Sequence, residues 1–289
     1  MSYPYFPGCT LATKAQGFAA SAQASAQALG LELVELPQWN CCGATFPLAT
    51  DDLLALVAPT RILLSAQRQG EELVTLCSIC YNVLQRTNRF LQSEEEKRKR
   101  IEFFVEEEYG GKVRVLHFLG LLRDQVGFEA LSGKVKRPLE GLKAAPYYGC
   151  LLLRPHQEMG LDDPEKPQVL GHLLQSLGCQ VVDFPYQVEC CGSYLTVNSS
   201  QVATDLSYAI LHSAQRCGAE AIVTSCPLCQ FNLDYRQEDM ASEHPGFTPM
   251  PILYFTQLLG LALGLDKATF GLAEHHVDPR PLLEERGLL

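Results

Sequence analysis

The sequence predicts an α/β protein made of two copies of one parallel-sheet domain, related by a pseudo-twofold axis. Three observations predict this class. Five cysteines recur in each half of the 289-residue chain, and four of the five pairs share an offset of 149 residues. Short β-rich runs alternate with helical patterns, as in parallel sheets covered by helices. Because 47% of the residues are hydrophobic, the chain can bury one large core or two of about 140 residues each.

The cysteine repeat sets the frame for everything else. Its first copy comprises Cys9, Cys41, Cys42, Cys77 and Cys80, and its second comprises Cys150, Cys190, Cys191, Cys226 and Cys229. In both copies 34 residues separate the second cysteine of Cys-Cys-Gly from the first cysteine of a closing C-x-x-C. The first pair of cysteines is offset by only 141 residues, because eight extra residues follow Cys150. Five matched positions predict a duplication.

In the first half, β-rich runs predict strands over 3–6, 31–37, 71–77 and 113–118. Helices are predicted over 14–30, which is rich in alanine and ends in glycine, over 51–69, and after the C-x-x-C pair. The charged stretch 93–111 pairs glutamates with basic residues four positions later, which predicts a helix with a solvated face.

The second half repeats this order. Strands are predicted over 145–148, 179–185, 219–226 and 251–255, and helices over 167–178, 201–216 and from the second C-x-x-C, where Pro227 suits a first helical turn. The predicted domains are therefore residues 1–133 and 145–289. Residues 134–144 have the composition of a linker between them.

The charge of the chain excludes one class of function. With 23 Lys+Arg against 33 Asp+Glu, the formal charge is −10, which argues against a nucleic-acid binder. The longest strongly apolar stretch, 252–265, is too short to span a bilayer, and residues 1–9 lack the features of a secretory signal. We expect a cytoplasmic protein that reaches a membrane only through partners.

Twelve cysteines in such a protein indicate metal or redox chemistry rather than disulfides. All ten repeated cysteines are predicted at or just after the carboxyl ends of strands, where parallel sheets form their sites. Five thiols exceed the four ligands of structural zinc, and a C-x-x-C redox pair would leave three unexplained. Iron–sulfur clusters accommodate the larger set, although zinc in one half and wholly structural thiols stay open.

The repeat C-x31-CCG, closed by C-x-x-C and followed by a second copy with C-x39-CCG, resembles the cysteine-rich CCG-domain proteins. Within that group the chain is most similar to the B subunit of heterodisulfide reductase. The resemblance includes the opening "YFPGC" and "GLAEHHVDP" near the end. It implies two Rossmann-like CCG domains, each holding a non-cubane [4Fe-4S] cluster on its own five cysteines. Some relatives carry zinc in one half, so one cluster and one zinc ion is the alternative.

The same resemblance implies a mechanism and partners. A disulfide would lie between the two clusters and be cleaved or formed in one-electron steps, each cluster binding one sulfur. Electrons would come from a ferredoxin-like iron–sulfur subunit and a flavin subunit. The chain has no G-x-G-x-x-G nucleotide loop, which supports its dependence on partner subunits for electrons. The alternative is an electron-transfer or anchoring subunit of a succinate, lactate or glycerol-3-phosphate dehydrogenase complex, passing electrons to quinone.

Four further residues are candidates for handling substrate or protons. Arg154, His156 and Glu158 lie in the insertion after Cys150, where they could bind an anionic substrate, although a solvated loop is the simpler interpretation. His117 follows the fourth strand of the first half, and a hydrogen-bonded buried histidine is the more ordinary interpretation.

Overall fold

The computed structural model describes residues 1–44, 46 and 52–289, and these form two four-stranded parallel sheets with helices. The strands are β1 (Ser2–Phe6), β2 (Glu32–Glu35), β3 (Glu72–Thr75), β4 (Arg114–His117), β5 (Lys143–Tyr147), β6 (Gln180–Val181), β7 (Ala221–Thr224) and β8 (Ile252–Tyr254). The strand orders are β2-β1-β3-β4 and β6-β5-β7-β8. The α/β class and the duplication are confirmed.

Helices connect the strands in both halves. In the first half they are α1 (Gly8–Leu11), α2 (Gln16–Ala28), α3 (Val57–Gln67), α4 (Ser78–Ser93), α5 (Glu95–Val105), α6 (Phe118–Leu121) and α7 (Phe128–Ser132). In the second they are α8 (His156–Met159), α9 (Val169–Ser176), α10 (Ser200–Arg216), α11 (Pro227–Tyr235), α12 (Gln237–Glu243), α13 (Phe255–Ala262) and α14 (Arg280–Glu285). A π-helical turn, Leu122–Val126, precedes α7.

In each half the third and fourth strands end at the same level. Thr75 at the end of β3 pairs with His117 of β4, and Thr224 at the end of β7 pairs with Tyr254 of β8. Since parallel strands present their carboxyl ends at one edge, this register brings the following loops together in each half.

The second strand of each half is shorter than predicted, with four residues in β2 and two in β6. Each is an edge strand that pairs with one neighbour, β1 or β5. The predicted helix over 51–69 is realised as a 3₁₀ turn, Leu54–Leu56, followed by α3, and Asp51 itself lies outside the described residues.

The two halves share one hydrophobic core. Helix α2 packs against α13, α4 against α8, and α7 against α9, so each contact joins the first half to the second. Phe18 stacks on Tyr254 with ring centroids 4.2 Å apart. The hydroxyl groups of Ser21 and Thr256 lie 2.7 Å apart.

The segment predicted as a linker, 134–144, is packed onto the protein. Leu139 and Leu142 are buried, and the backbone N–H groups of Lys136 and Arg137 donate to the carbonyl of Ala262. Strand β5 already begins at Lys143, so the last two residues of the predicted linker belong to the second sheet. Apolar side chains at regular intervals explain why this segment is held against the core.

Candidate functional site

The loops after β1, β2 and β3 bring the first five cysteines together. Cys77 is the N-cap of α4 and Cys80 lies in its first turn. The sulfur of Cys42 lies 3.6 Å from that of Cys80, and the sulfur of Cys41 lies 3.8 Å from that of Cys9.

The second five cysteines repeat this arrangement. Cys226 is the N-cap of α11, and the sulfur of Cys191 lies 3.4 Å from that of Cys229. The backbone N–H of Gly192 donates to the sulfur of Cys190, as that of Gly43 does to Cys41 in the first half. The predicted equivalence of the two sets therefore extends to their individual contacts.

One glycine in each half leaves room for these sulfurs. Gly8 has φ of 75°, and a Cβ added there would lie 2.9 Å from the sulfur of Cys80. Gly149 has φ of 64°, and a Cβ there would lie 3.3 Å from the sulfur of Cys229. A residue with a side chain would be strained at both positions and would crowd the sulfur.

The two sets of cysteines meet at the pseudo-twofold axis. The hydroxyl groups of the equivalent residues Ser78 and Ser225 lie 2.9 Å apart. The thiols that precede them, Cys77 and Cys226, are near enough for the pKa of Cys77 to be lowered and that of Cys226 raised by their interaction. Contact between equivalent residues is the signature of a twofold relationship. The sites are thus direct neighbours rather than separate centres in two domains.

Hydrogen bonds between sulfurs split the thiol pKa values. The bond between Cys42 and Cys80 lowers the pKa of Cys42 to about 7 and raises that of Cys80. The bond between Cys150 and Cys190 lowers the pKa of Cys190 to about 6 and raises that of Cys150. One member of each pair therefore favours the thiolate, which is the form that binds metal.

Two helices add to this stabilisation. α4, with 16 residues, and α11, with 9, begin directly after Cys77 and Cys226. The positive ends of their dipoles and their free N–H groups face the sulfurs, which favours negative charge there.

These residues fit an iron–sulfur group. The donors are thiols, most of them buried, and they approach one another in pairs across several ångströms. In the described part of the chain, no three His, Cys, Asp or Glu side chains are grouped as a site for a single metal ion. Cysteine thiolates are the ligands that hold iron–sulfur clusters, so the chemistry of this donor set suits such a group.

A cavity of about 820 Å³ gives solvent access to the first set. Cys9 and Cys41 are exposed, whereas Cys42, Cys77 and Cys80 are buried. Cys9 lines the cavity. The lining also includes Pro227 and Leu228, which stand between two cysteines of the second set, and Phe231 and Tyr235 of α11. Lys14 and His275 provide polar groups, so a ligand in this cavity would contact both halves.

Tyr194, which the sequence analysis did not single out, spans the two Cys-Cys-Gly loops. Its hydroxyl donates to the carbonyl of Ala44 in the first half, at 2.9 Å. Burial, followed by the negative charge of nearby thiolates from both sets, raises its phenol pKa. Its position three residues after Cys191 was the available signal, but that signal does not reveal a contact across the halves.

Asn232 and Arg236 were also missed. The amide of Asn232 donates to the carbonyl of Cys191 at 2.9 Å. Arg236 is buried, and it donates to Asn232, Thr196 and Thr204. These bonds hold the second Cys-Cys-Gly loop against α11. Their spacing of four residues on one helix face, directly after the C-x-x-C, was the only sequence signal.

His117 has both ring nitrogens occupied. Nδ1 accepts from the backbone N–H of Leu119, so the neutral ring carries its proton on Nε2 and donates to the carbonyl of Leu76 at 2.8 Å. Burial lowers its pKa to about 4. His117 is therefore the hydrogen-bonded buried histidine that was the ordinary alternative, and it fixes the residue before Cys77.

The insertion after Cys150 packs onto helix α4 of the other half. Glu158 pairs with Arg86 at 2.7 Å, Arg154 pairs with Glu165 at 2.8 Å, and His156 is exposed. None of the three lines the cavity beside Cys9. The structure thus brings the ten cysteines together and places these three candidates elsewhere.

Comparison with known proteins identifies the family. The family model described as "Cysteine-rich domain" (CCG) matches residues 3–85 and 144–234, one match in each half. The chain belongs to the CCG cysteine-rich domain family. Both matched stretches contain one complete set of five cysteines.

Two curated relatives of this CCG protein align over nearly the whole chain. The 8-methylmenaquinol:fumarate reductase membrane anchor subunit of Wolinella succinogenes is 34% identical, with 97% of this chain and 98% of the relative covered. The B subunit of the ferredoxin/F420H2-dependent CoB-CoM heterodisulfide reductase of Methanosarcina acetivorans is 29% identical, with 94% and 92% covered. Subunits of reductases are therefore the group to which the chain is related, as the sequence predicted.

A solved structure shares the fold. A hypothetical protein from Helicobacter pylori superposes with a TM-score of 0.76 at 14% identity. The match covers 95% of this chain, which spans 51% of that one. Across the described residues, every helix is too short or too polar to cross a bilayer.

Proposed function

We propose that this chain is the iron–sulfur subunit of a heterodisulfide-reductase-like complex, with one non-cubane [4Fe-4S] cluster in each half. The ligands would be Cys9, Cys41, Cys42, Cys77 and Cys80 for the first cluster, and Cys150, Cys190, Cys191, Cys226 and Cys229 for the second. The observation that carries the proposal is that the two complete sets are direct neighbours, since Ser78 and Ser225, which follow Cys77 and Cys226, lie 2.9 Å apart through their hydroxyl groups. Held side by side by these cysteines, two such groups would supply the two electrons of the reaction one at a time.

The proposed reaction is reductive cleavage of a small disulfide, or its reverse. One S–S bond breaks, two electrons and two protons are taken up, and two thiols leave. The cavity beside Cys9 would admit the substrate, since it is bordered by a thiol of the first set and by α11 of the second half. Its apolar wall at Leu228 and Phe231 would exclude water from the reacting sulfurs.

A second candidate function rests on the relative from Wolinella succinogenes, whose name describes a membrane anchor subunit of a fumarate reductase that uses 8-methylmenaquinol. In that case the chain would pass electrons between a dehydrogenase or reductase and a quinone. The aromatic and apolar lining of the same cavity, with Phe231, Tyr235 and Val197, also suits a quinone ring.

We place the chain in the cytoplasm within a multi-subunit complex, because its many free thiols require reducing conditions. A partner surface is proposed around the second Cys-Cys-Gly loop. Exposed apolar side chains cluster there, including Tyr194, Leu195, Val197, Val202 and Leu206. Such a patch beside the outermost thiols suits an iron–sulfur or flavin subunit that delivers electrons.

The first test measures iron, zinc and acid-labile sulfide per chain in protein purified without oxygen. Two clusters predict about eight irons and little zinc. About four irons with one zinc would contradict the two-cluster proposal.

The second test separates the two functions. A disulfide and a soluble quinone are titrated into the reduced protein while its electron paramagnetic resonance spectrum is recorded. Reoxidation with a changed signal on adding the disulfide alone supports sulfur chemistry. Turnover with quinone, and an unchanged response to disulfides, would favour the second function.

A further inference from the structure

A second cavity, of about 950 Å³, lies on the first half. It opens between α4, the end of β4 and the inserted segment around 158–161. Its wall α4 is the counterpart of α11, and His117 occupies the strand position that Tyr254 occupies beside the first cavity. The duplication has therefore produced two related cavities. No cysteine is among the described residues that line this second one.

The charge of this cavity is opposite to that of the chain. Its basic lining residues are Arg86, Arg89, Lys112, Arg114 and Arg123, and its acidic ones are Asp124 and Glu158. The whole chain has 33 acidic residues against 23 basic ones. Arg114 is also paired, with the carboxylate of Glu72. Five cations against three carboxylates still make this a local region of positive potential on an acidic protein.

The two carboxylates are already paired with arginines of the cavity. Glu158 pairs with Arg86 at 2.7 Å and Asp124 with Arg123 at 2.6 Å. Arg89 donates to the carbonyl of Gln157. Within residues 1–44, 46 and 52–289, no carboxylate lies within 4 Å of Arg89 or Lys112. Two cations are thus free to meet an anionic ligand.

The cavity also has an aromatic wall that is held in place. The guanidinium of Arg86 lies 4.1 Å from the centroid of the Phe46 ring, while its Nε donates to Glu158. Phe46 in turn packs edge-on against Phe90, with centroids 6.5 Å apart. An organic group could pack here while its charged end reaches the basic side chains.

We propose that this cavity binds a small organic oxyanion that carries phosphate or carboxylate groups. Arginine and lysine recognise both kinds of group through charge-assisted hydrogen bonds. The volume falls within the range of about 300–1,000 Å³ typical of small-molecule sites. This site is separate from the cysteine cavity, and the proposal does not depend on the proposed redox function.

Calorimetric titration of the full chain with pyrophosphate, and separately with citrate, at matched ionic strength tests the proposal. We expect saturable one-to-one binding of at least one probe, with a Kd below about 1 mM. Arg89→Gln and Lys112→Gln should each weaken it about tenfold. Arg100→Gln removes the same charge from exposed helix α5 and should leave the Kd unchanged.

The two probes distinguish the sources of negative charge. Binding of pyrophosphate alone would assign a phosphate ligand, and binding of citrate alone a carboxylate ligand. The proposal is overturned if neither probe saturates, or if Arg100→Gln weakens binding as much as the two cavity variants do.

Hydrogen exchange on the wild-type chain locates the site without relying on variants. The bound probe should protect backbone amides in α4 and in residues 157–161. Protection confined to α11 would place the anion in the other cavity and would contradict the proposal.

Discussion

At the scale of single residues, the twelve thiols divide by their position on the sheets. Ten lie beyond the carboxyl ends of strands, in the loops or in the first helical turns that follow. Cys179 is buried just before β6, where burial raises its pKa to about 12, and Cys217 is the exposed C-cap of α10. Both lie at the amino ends of the strands that follow, away from the proposed cluster sites.

This division predicts different results for two cysteine variants. Cys9→Ser should lower the iron content by about half, because it removes one ligand of one of the two proposed clusters. Cys217→Ser, at another exposed thiol, should leave it unchanged. Iron and sulfide assays on both proteins make the comparison, and equal iron in the two variants would argue against Cys9 as a ligand.

His117 gives the stability of the protein a defined pH dependence. Burial lowers its folded-state pKa from about 6.5 to about 4, so the unfolded chain binds a proton between these values and the folded chain does not. Stability should therefore fall as pH drops below about 6.5. At pH 5.5 the loss attributable to His117 is about 1 kcal/mol relative to pH 7.5.

Urea unfolding of the wild type and of His117→Gln at the two pH values measures this effect. The variant has no titrating ring, so its stability should fall less between pH 7.5 and 5.5. Parallel losses in the two proteins would mean that His117 is already protonated in the folded state.

At the scale of elements, close packing of α2 against α13 joins the two halves. A Cβ added at Gly17 of α2 would lie 2.4 Å from the backbone oxygen of Phe270, and one at Gly260 of α13 would lie 2.5 Å from the Phe270 ring. At Gly17 the neighbour is backbone of the segment that follows α13, and at Gly260 it is the buried Phe270 ring, so a side chain at either position would displace Phe270.

Gly17→Ala should destabilise the protein by about 1–3 kcal/mol through overpacking. Gly133→Ala is the matched control, because its Cβ would approach its nearest neighbour only to 3.5 Å. Thermal unfolding of both variants measures the difference. Equal midpoints would show that the helix pair adjusts without cost.

The insertion after Cys150 is held by the other half. Asn82 of α4 donates to the carbonyls of Leu151 and Arg154 at 2.8 and 2.7 Å, and the hydroxyl of Tyr81 donates to the carbonyl of Met159. This segment leads directly from Cys150, so α4 of the first half positions a thiol of the second set.

Asn82→Ala should cost about 2 kcal/mol, since two carbonyls lose their donor in a partly buried place. It should also weaken retention of iron, measured by release to a chelator. Gln85→Ala, which removes one longer bond to the same segment, should have less effect on both readouts. Unchanged iron release in Asn82→Ala would mean that the insertion does not support Cys150.

At the scale of the whole molecule, the shared core makes the halves interdependent. Helix pairs across the two halves bury apolar faces that each half alone would expose. Fragments 1–142 and 143–289, expressed separately, should therefore be poorly ordered, whereas the full chain should unfold in one transition. Circular dichroism and limited proteolysis measure the order of the fragments and the unfolding of the full chain. A stably folded fragment would contradict the single core.

Much of the fold could be predicted because its signals are local. Strand-like runs, helix-ending glycines and the position of Pro227 depend on neighbouring residues, and the helices and strands were found close to where they were expected. The features that differ from the prediction, the packing of residues 134–144 and the lengths of β2 and β6, have non-local causes. The packed linker depends on contacts with Ala262 and Leu177, and the short β2 and β6 depend on edge positions in the sheets.

The sequence by itself determined the duplication, the α/β class, the two sets of five cysteines and the family, because spacing along the chain records all of them. Only the tertiary structure decided which thiols face solvent, that Cys77 lies near Cys226, that Tyr194 bridges the two loops, and that cations gather in the second cavity. These features arise where the halves pack together around the pseudo-twofold axis. Residues that meet there are far apart in sequence, so no local pattern predicts their contacts.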